Sequence, residues 1–121
     1  MAVKKILIVD DSPTERTFLE SMLAKAGYQC FNAASGEEGI EVAKAQQPDL
    51  ILMDVVMPGL NGFQATRAIT REEATKHIPV IILTTKDQET DRIWGMRQGA
   101  KDYLVKPIKA ETLIAKIKLV G

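Results

Sequence analysis

The chain has 121 residues, 45% of them apolar and 26% charged, which suits one ordinary domain with a hydrophobic core and leaves no room for a second. Its 16 basic and 16 acidic side chains cancel, so the overall charge gives no reason to expect a nucleic-acid partner or direct membrane insertion. A single cysteine excludes an internal disulfide, and no charged-then-apolar leader or long apolar span is seen, so the expectation is one cytoplasmic domain over residues 1–121 with no output domain. The charge is nonetheless uneven: residues 1–60 hold five Lys/Arg against nine Asp/Glu, and residues 61–121 hold eleven against seven. A metal site is therefore sought in the acidic half.

The first apolar run, residues 6–9, is too short for a helix and ends in Asp10 and Asp11, which reads as a buried strand. A helix follows, with Ser12 as N-cap, Pro13 in the first turn, Glu15 completing a capping box and Gly27 at the stop. Its apolar stripe is Phe18, Leu19, Met22, Leu23 and Ala26. Residues 29–33 form a weaker strand containing Cys30, which reads as a buried, inert thiol. Ser35 and Glu38 open a second helix that ends before Pro48.

Residues 50–53 are the next strand, closed by Asp54, and Asn61 is placed to cap a third helix. His77, the one histidine, falls in a solvated loop, which argues against a histidine phosphotransfer module. The strand at residues 80–83 leads into Thr84 and Thr85. Asp87 is the expected cap of helix four and Gly99 its end, with Ile93 and Met96 marking its apolar stripe and Trp94 off that stripe as an exposed partner anchor. Gly95 near the centre of that helix suits either easy displacement or close packing. Residues 103–105 form the last strand before Lys106, and helix five, about 110–119, starts less clearly because Lys109 is a poor cap.

Strands that alternate with helices imply a doubly wound α/β sandwich, a parallel sheet covered on both faces. Ligands of such folds bind beyond the carboxyl ends of the strands, where Asp10, Asp11, Asp54, Thr84 and Lys106 stand. Three carboxylates in one cleft call for a cation, and hard oxygen donors without a second His or any nearby Cys suit Mg²⁺ rather than zinc or copper. With the ion held by Asp10, Asp11 and Asp54, and the Val56 carbonyl as a further donor, Asp54 is also the natural nucleophile toward a phosphoryl group. Lys106 supplies positive charge and Thr84 a hydroxyl donor. Val56 and Lys86 are expected to flank the path of an attacking water.

Three stretches, LIVDDS at 7–12, LMDVVMPG at 52–59 and DYLVKP at 102–107, resemble the receiver domains of two-component response regulators, and the likeness runs the length of the chain. The resemblance implies a flavodoxin-like (βα)5 fold with strand order 2-1-3-4-5. It also implies Asp54 as phosphoacceptor, Mg²⁺ at Asp10 and Asp11, Thr84 and Tyr103 as the switch pair, and a cis peptide before Pro107 that aims Lys106 inward. The donor would be a histidine kinase or phosphotransfer domain, and the readout a downstream protein. Such a chain is a phosphoacceptor that assists its own chemistry rather than an enzyme. A narrower likeness, carried by residues 57–67, 84–91, 94–95 and 97–100, is to PilH-type regulators of the chemosensory system for type IV pili and twitching motility. Thr85 and Lys109 depart from the broad receiver pattern, where a small residue and a capping Asp are usual.

Three alternatives remain open on the sequence. A phosphate sink or adaptor would use the same fold without conventional output. A haloacid dehalogenase-like phosphatase would need a second Asp two residues after its nucleophile, where Val56 stands. A flavin binder would need a phosphate-cradling loop in place of residues 10–13.

Overall fold

The computed structural model describes residues 2–120, and among them five strands alternate with five helices. These are β1 (Lys5–Val9), α1 (Pro13–Lys25), β2 (Gln29–Ala33), α2 (Gly36–Gln46), β3 (Leu50–Met53), α3 (Gly62–Arg71), β4 (Val80–Thr84), α4 (Glu89–Arg97), β5 (Asp102–Val105) and α5 (Ala110–Val120). All strand pairs are parallel and the sheet order is β2-β1-β3-β4-β5. The chain moves outward in one direction after β1 and in the other after β3, so the carboxyl ends of β1 and β3 flank the point of reversal.

Alternation along the strands feeds two large cores, with a smaller cluster of Val55, Phe63, Ile82, Ala100 and Tyr103 beside them. Ile6, Ile8, Leu50, Leu52, Ile81 and Leu83 face Leu19 and Leu23 of α1 and Leu113 and Ile117 of α5. Leu7, Val9, Ile51, Met53 and Val80 face Ala43 of α2 and Ala65 and Ile69 of α3. Because both faces are covered, the inner strands are apolar throughout, as the short runs had suggested. β2 is an edge strand and only its last residue is fully buried, which explains its weak signal.

Several local expectations need correction. Phe18 lies on the solvent side of α1, 59% exposed, and Ala26 is the exposed C-cap; the buried stripe is Leu19 and Leu23, with Met22 at its margin. On α4 neither Ile93 nor Met96 is buried, and Gly95 is the residue that meets the core. Asp87 does not cap this helix. The chain stays extended through Gln88, the N-cap, which offers no side-chain hydrogen bond.

The capping boxes also differ. Ser12 and Ser35 accept from the amides of Glu15 and Glu38, but the Glu15 carboxylate turns to Lys106 and that of Glu38 to the Ala34 amide. The reciprocal box forms instead on α3, between Asn61 and Gln64. His77 is exposed in the turn before β4, and Cys30 is half-buried rather than fully buried. No helix among the described residues is long and apolar enough to cross a membrane.

Candidate functional site

Each acidic group of the site leaves a strand at the same edge of the sheet. The Asp10 amide donates to Ala33 and the Asp54 amide to Val9, so both residues extend the ladder one step past their strands. There Asp10, Asp11 and Asp54 each offer a carboxylate oxygen, and these atoms all lie within 4.8 Å of one another. Asp10 is buried, Asp54 half-buried and Asp11 exposed, so the cluster opens to solvent on one side.

Lys106 enters from β5, its backbone continuing the sheet by donating to Thr84. Its Nζ lies 2.9 Å from Oδ2 of Asp10 and 3.6 Å from Oε1 of Glu15. The Lys106–Pro107 peptide is cis. Burial draws the Lys106 ammonium down, but the hydrogen bond to Asp10 and the fields of Asp54, Asp10 and Glu15 outweigh it, and the net direction is above the ordinary lysine value. Burial pushes the Asp54 carboxyl up, and the neighbouring Asp10 charge adds to this. Lys106, the Thr84 hydroxyl and the Val55 amide oppose it without cancelling it.

Small residues bring the surrounding loop close. A Cβ on Gly62 would sit 2.0 Å from the Asp54 carbonyl oxygen, so only glycine lets α3 begin directly beneath Asp54. Val56, in the same loop, is 58% exposed, while Glu37 of α2 accepts from the Leu60 amide. Thr84 is fully buried at the end of β4, and Thr85 is exposed. Beyond them Tyr103 is turned inward, its hydroxyl donating to the Lys86 carbonyl at 2.8 Å. The Lys86 ammonium points to Asp91 of α4, 3.6 Å away. Trp94 is 48% exposed on α4.

The sequence reading had placed the carboxylates, the lysine and the threonine at one edge, but it had not paired Glu15 with Lys106. Its signal was present: an acid in the first turn of α1, beside the loop that bears Asp10 and Asp11. The capping-box pattern absorbed it.

The acidic cleft, with a lysine held in it and a buried threonine beside it, thus stands at the switch point of a doubly wound α/β domain, where such folds bind ligands. The chain belongs to the response regulator receiver domain family, whose model matches residues 6–118. It is 59% identical to Protein PilH of Pseudomonas aeruginosa over 116 residues, 96% of both chains. Among solved structures it is similar to the chemotaxis protein CheY4 of Vibrio cholerae, with a TM-score of 0.92, 35% identity and coverage of 99% of this chain and 100% of that one. It is also similar to the receiver domain of the sensor histidine kinase PA1611 of Pseudomonas aeruginosa, solved with a magnesium ion in its active-site cleft. That match has a TM-score of 0.89 and 36% identity, and covers 98% of this chain and 97% of the other. Against several further curated relatives the chain spans about half of their length.

Proposed function

We propose that this chain accepts a phosphoryl group on Asp54 from a phosphohistidine donor, a histidine kinase or a phosphotransfer domain, in the cytoplasm. The observation that carries this reading is the convergence of Asp54 with Asp10, Asp11, Lys106 and Thr84 at one sheet edge. The three carboxylates suit a hard divalent ion, because they are oxygen donors of excess negative charge within reach of a single centre. Asp10, Asp11 and the Val56 carbonyl would hold Mg²⁺, with Asp54 at its side. When bound, Mg²⁺ neutralises the phosphoryl oxygens and the crowded acids.

The chain's own groups do the rest. A carboxylate oxygen of Asp54 forms the new O–P bond as the P–N bond of the donor breaks, and the electron pair of that bond returns to the imidazole nitrogen. Lys106 meets the charge on the equatorial oxygens, and the Thr84 hydroxyl donates to one of them. The modified Asp54 carries more negative charge and three strong acceptors, which draws Thr84 toward it and biases Tyr103 and the α4, β5, α5 face. The identity to PilH over nearly the whole chain supports a place in type IV pilus chemosensory control and twitching motility.

Intact-mass measurement with acetyl phosphate and Mg²⁺ tests the chemistry. The parent should gain one phosphoryl group and Asp54→Asn none. An unmodified parent, or an equally modified variant, overturns the assignment.

A further inference from the structure

We infer that Glu15 is a positioning residue that holds the Lys106 ammonium on the α1 side of the cleft and so sets how strongly the lysine competes with a divalent cation for Asp10. This rests on the proposal that the acidic cleft is a Mg²⁺ site. Both oxygens of Asp10 are engaged: Oδ1 accepts from the Ser12 amide at 2.9 Å, and Oδ2 accepts from Lys106 Nζ at 2.9 Å. A cation that approaches Asp10 from the Oδ2 side therefore competes with the ammonium that now lies 2.9 Å from that oxygen.

An ammonium has three donors and no acceptor, and the Lys106 side chain is only 13% exposed, so it needs another protein acceptor when it leaves Asp10. Glu15 offers one on the α1 side, opposite Asp54. Its carboxylate is 3.6 Å from Nζ, and its own amide is fixed by the Ser12 cap at 3.2 Å, so the side chain works from a rigid first turn. Its side chain remains 34% exposed, at the wall of a cleft of about 500 Å³ shared with Lys106 and Thr85. A neutral residue of the same shape would fit there without disturbing the core. With the Glu15 charge removed, Lys106 falls back on Asp10 and holds it more tightly against an incoming ion.

The test is a double-mutant cycle read as Mg²⁺ affinity by titration calorimetry, with Lys106→Met as the second substitution. In the parent, Glu15→Gln should weaken Mg²⁺ binding about three- to tenfold, in the lower part of the range for residues that share a partner. Glu15→Asp should recover part of the loss. In the Lys106→Met background the same Glu15→Gln substitution should change affinity less than about twofold, because the residue through which it acts is gone. An equal loss in both backgrounds would show that Glu15 merely lends negative charge to the cleft, and no loss in either would show that it does not hold the lysine; each overturns this inference alone. A parent that binds no Mg²⁺ overturns the metal-site reading with it. Thermal unfolding of each variant reads folding separately.

Discussion

Gly95 and Tyr103 are packed so closely that a Cβ on the glycine would stand 2.9 Å from Cδ2 of the tyrosine ring. The same atom would lie 2.8 Å from Cδ1 of Ile82. α4 therefore reaches the core through a glycine, and the inward position of Tyr103 depends on that missing side chain. Of the two readings that the sequence allowed for Gly95, close packing is the one with a visible cause.

Gly95→Ala should bring two opposed effects. Replacing a mid-helix glycine favours the helix by about 1 kcal/mol, whereas overfilling the contact costs about 1–3 kcal/mol. The expected net result is a small loss of stability, with Tyr103 driven outward from the Lys86 carbonyl. Urea unfolding measures the first and tyrosine solvent accessibility by NMR the second. With Tyr103→Ala as background the clash with the ring is removed, so Gly95→Ala should there be less costly or even stabilising. A cost unchanged by that background would mean that Ile82, not the tyrosine, sets the limit.

Asp54 gives a pH dependence of definite sign. Burial and then Asp10 raise its folded carboxyl above the ordinary value of 3.8, so the folded chain holds that proton more tightly than the unfolded chain does. The stability this contributes is fully present below 3.8 and is lost as pH rises through the folded value. At neutral pH an ionised, half-buried carboxylate remains beside Asp10. Asp54→Asn is therefore expected to raise the metal-free Tm at neutral pH, by a margin that narrows on acidification toward 3.8. Differential scanning calorimetry across that range checks it, and a margin that widened in acid would contradict the sign.

Much of this architecture was legible because β1, β3, β4 and β5 are short apolar runs, each closed by a residue of the proposed site. Asp10, Asp54, Thr84 and Lys106 all follow such runs, and a parallel sheet carries them to one edge. What escaped the sequence lies where side-chain identity and burial part company. Phe18, Ile93 and Met96 look like core yet face solvent, while the residue that docks α4 is a glycine, which hydrophobic periodicity cannot register. Glu15 and Lys106 meet through the crossover from one end of the chain to the other, and no local pattern reports a pairing of that range.

Trp94 provides a separate test of the proposed output face. It is 48% exposed, and Ile93 and Met96 beside it are also more than a third exposed, so truncation removes little that the fold buries. Trp94→Ala should leave stability within about 0.5 kcal/mol. Its expected effect is loss of signalling to the downstream partner at unchanged phosphorylation of Asp54, measured by partner pull-down beside intact mass. Full partner binding by the variant would remove Trp94 from the interface.

Gly62 is the least replaceable position near the site. Its hypothetical Cβ meets backbone rather than a movable side-chain tip: 2.0 Å from the Asp54 carbonyl oxygen and 2.7 Å from the Val55 Cα. Backbone must shift to admit any side chain, so Gly62→Ala should cost at least about 3 kcal/mol, above the usual range for overpacking. Because the displaced atoms belong to Asp54 itself, loss of stability and loss of phosphorylation should appear together. A folded variant that is phosphorylated at the parent rate would be inconsistent with this packing.

Cys30 bears on handling of the protein and tests the edge of the sheet. Burial, and then the Glu20 charge, push its thiol from 9.0 to about 11. The thiolate is the reactive form, so a rise of this size leaves roughly a hundredth of the ordinary thiolate fraction at mildly alkaline pH. Because a more basic thiolate is also the stronger nucleophile and offsets part of that loss, disulfide exchange with an aromatic disulfide reagent should be about tenfold slower in the folded protein than after unfolding in urea. Glu20→Gln should speed the folded-state reaction slightly, since it removes the smaller of the two causes and leaves the burial. A folded-state rate equal to the unfolded one would mean that β2 opens faster than the thiol reacts, and that this edge strand is held far less firmly than its five-residue pairing with β1 implies.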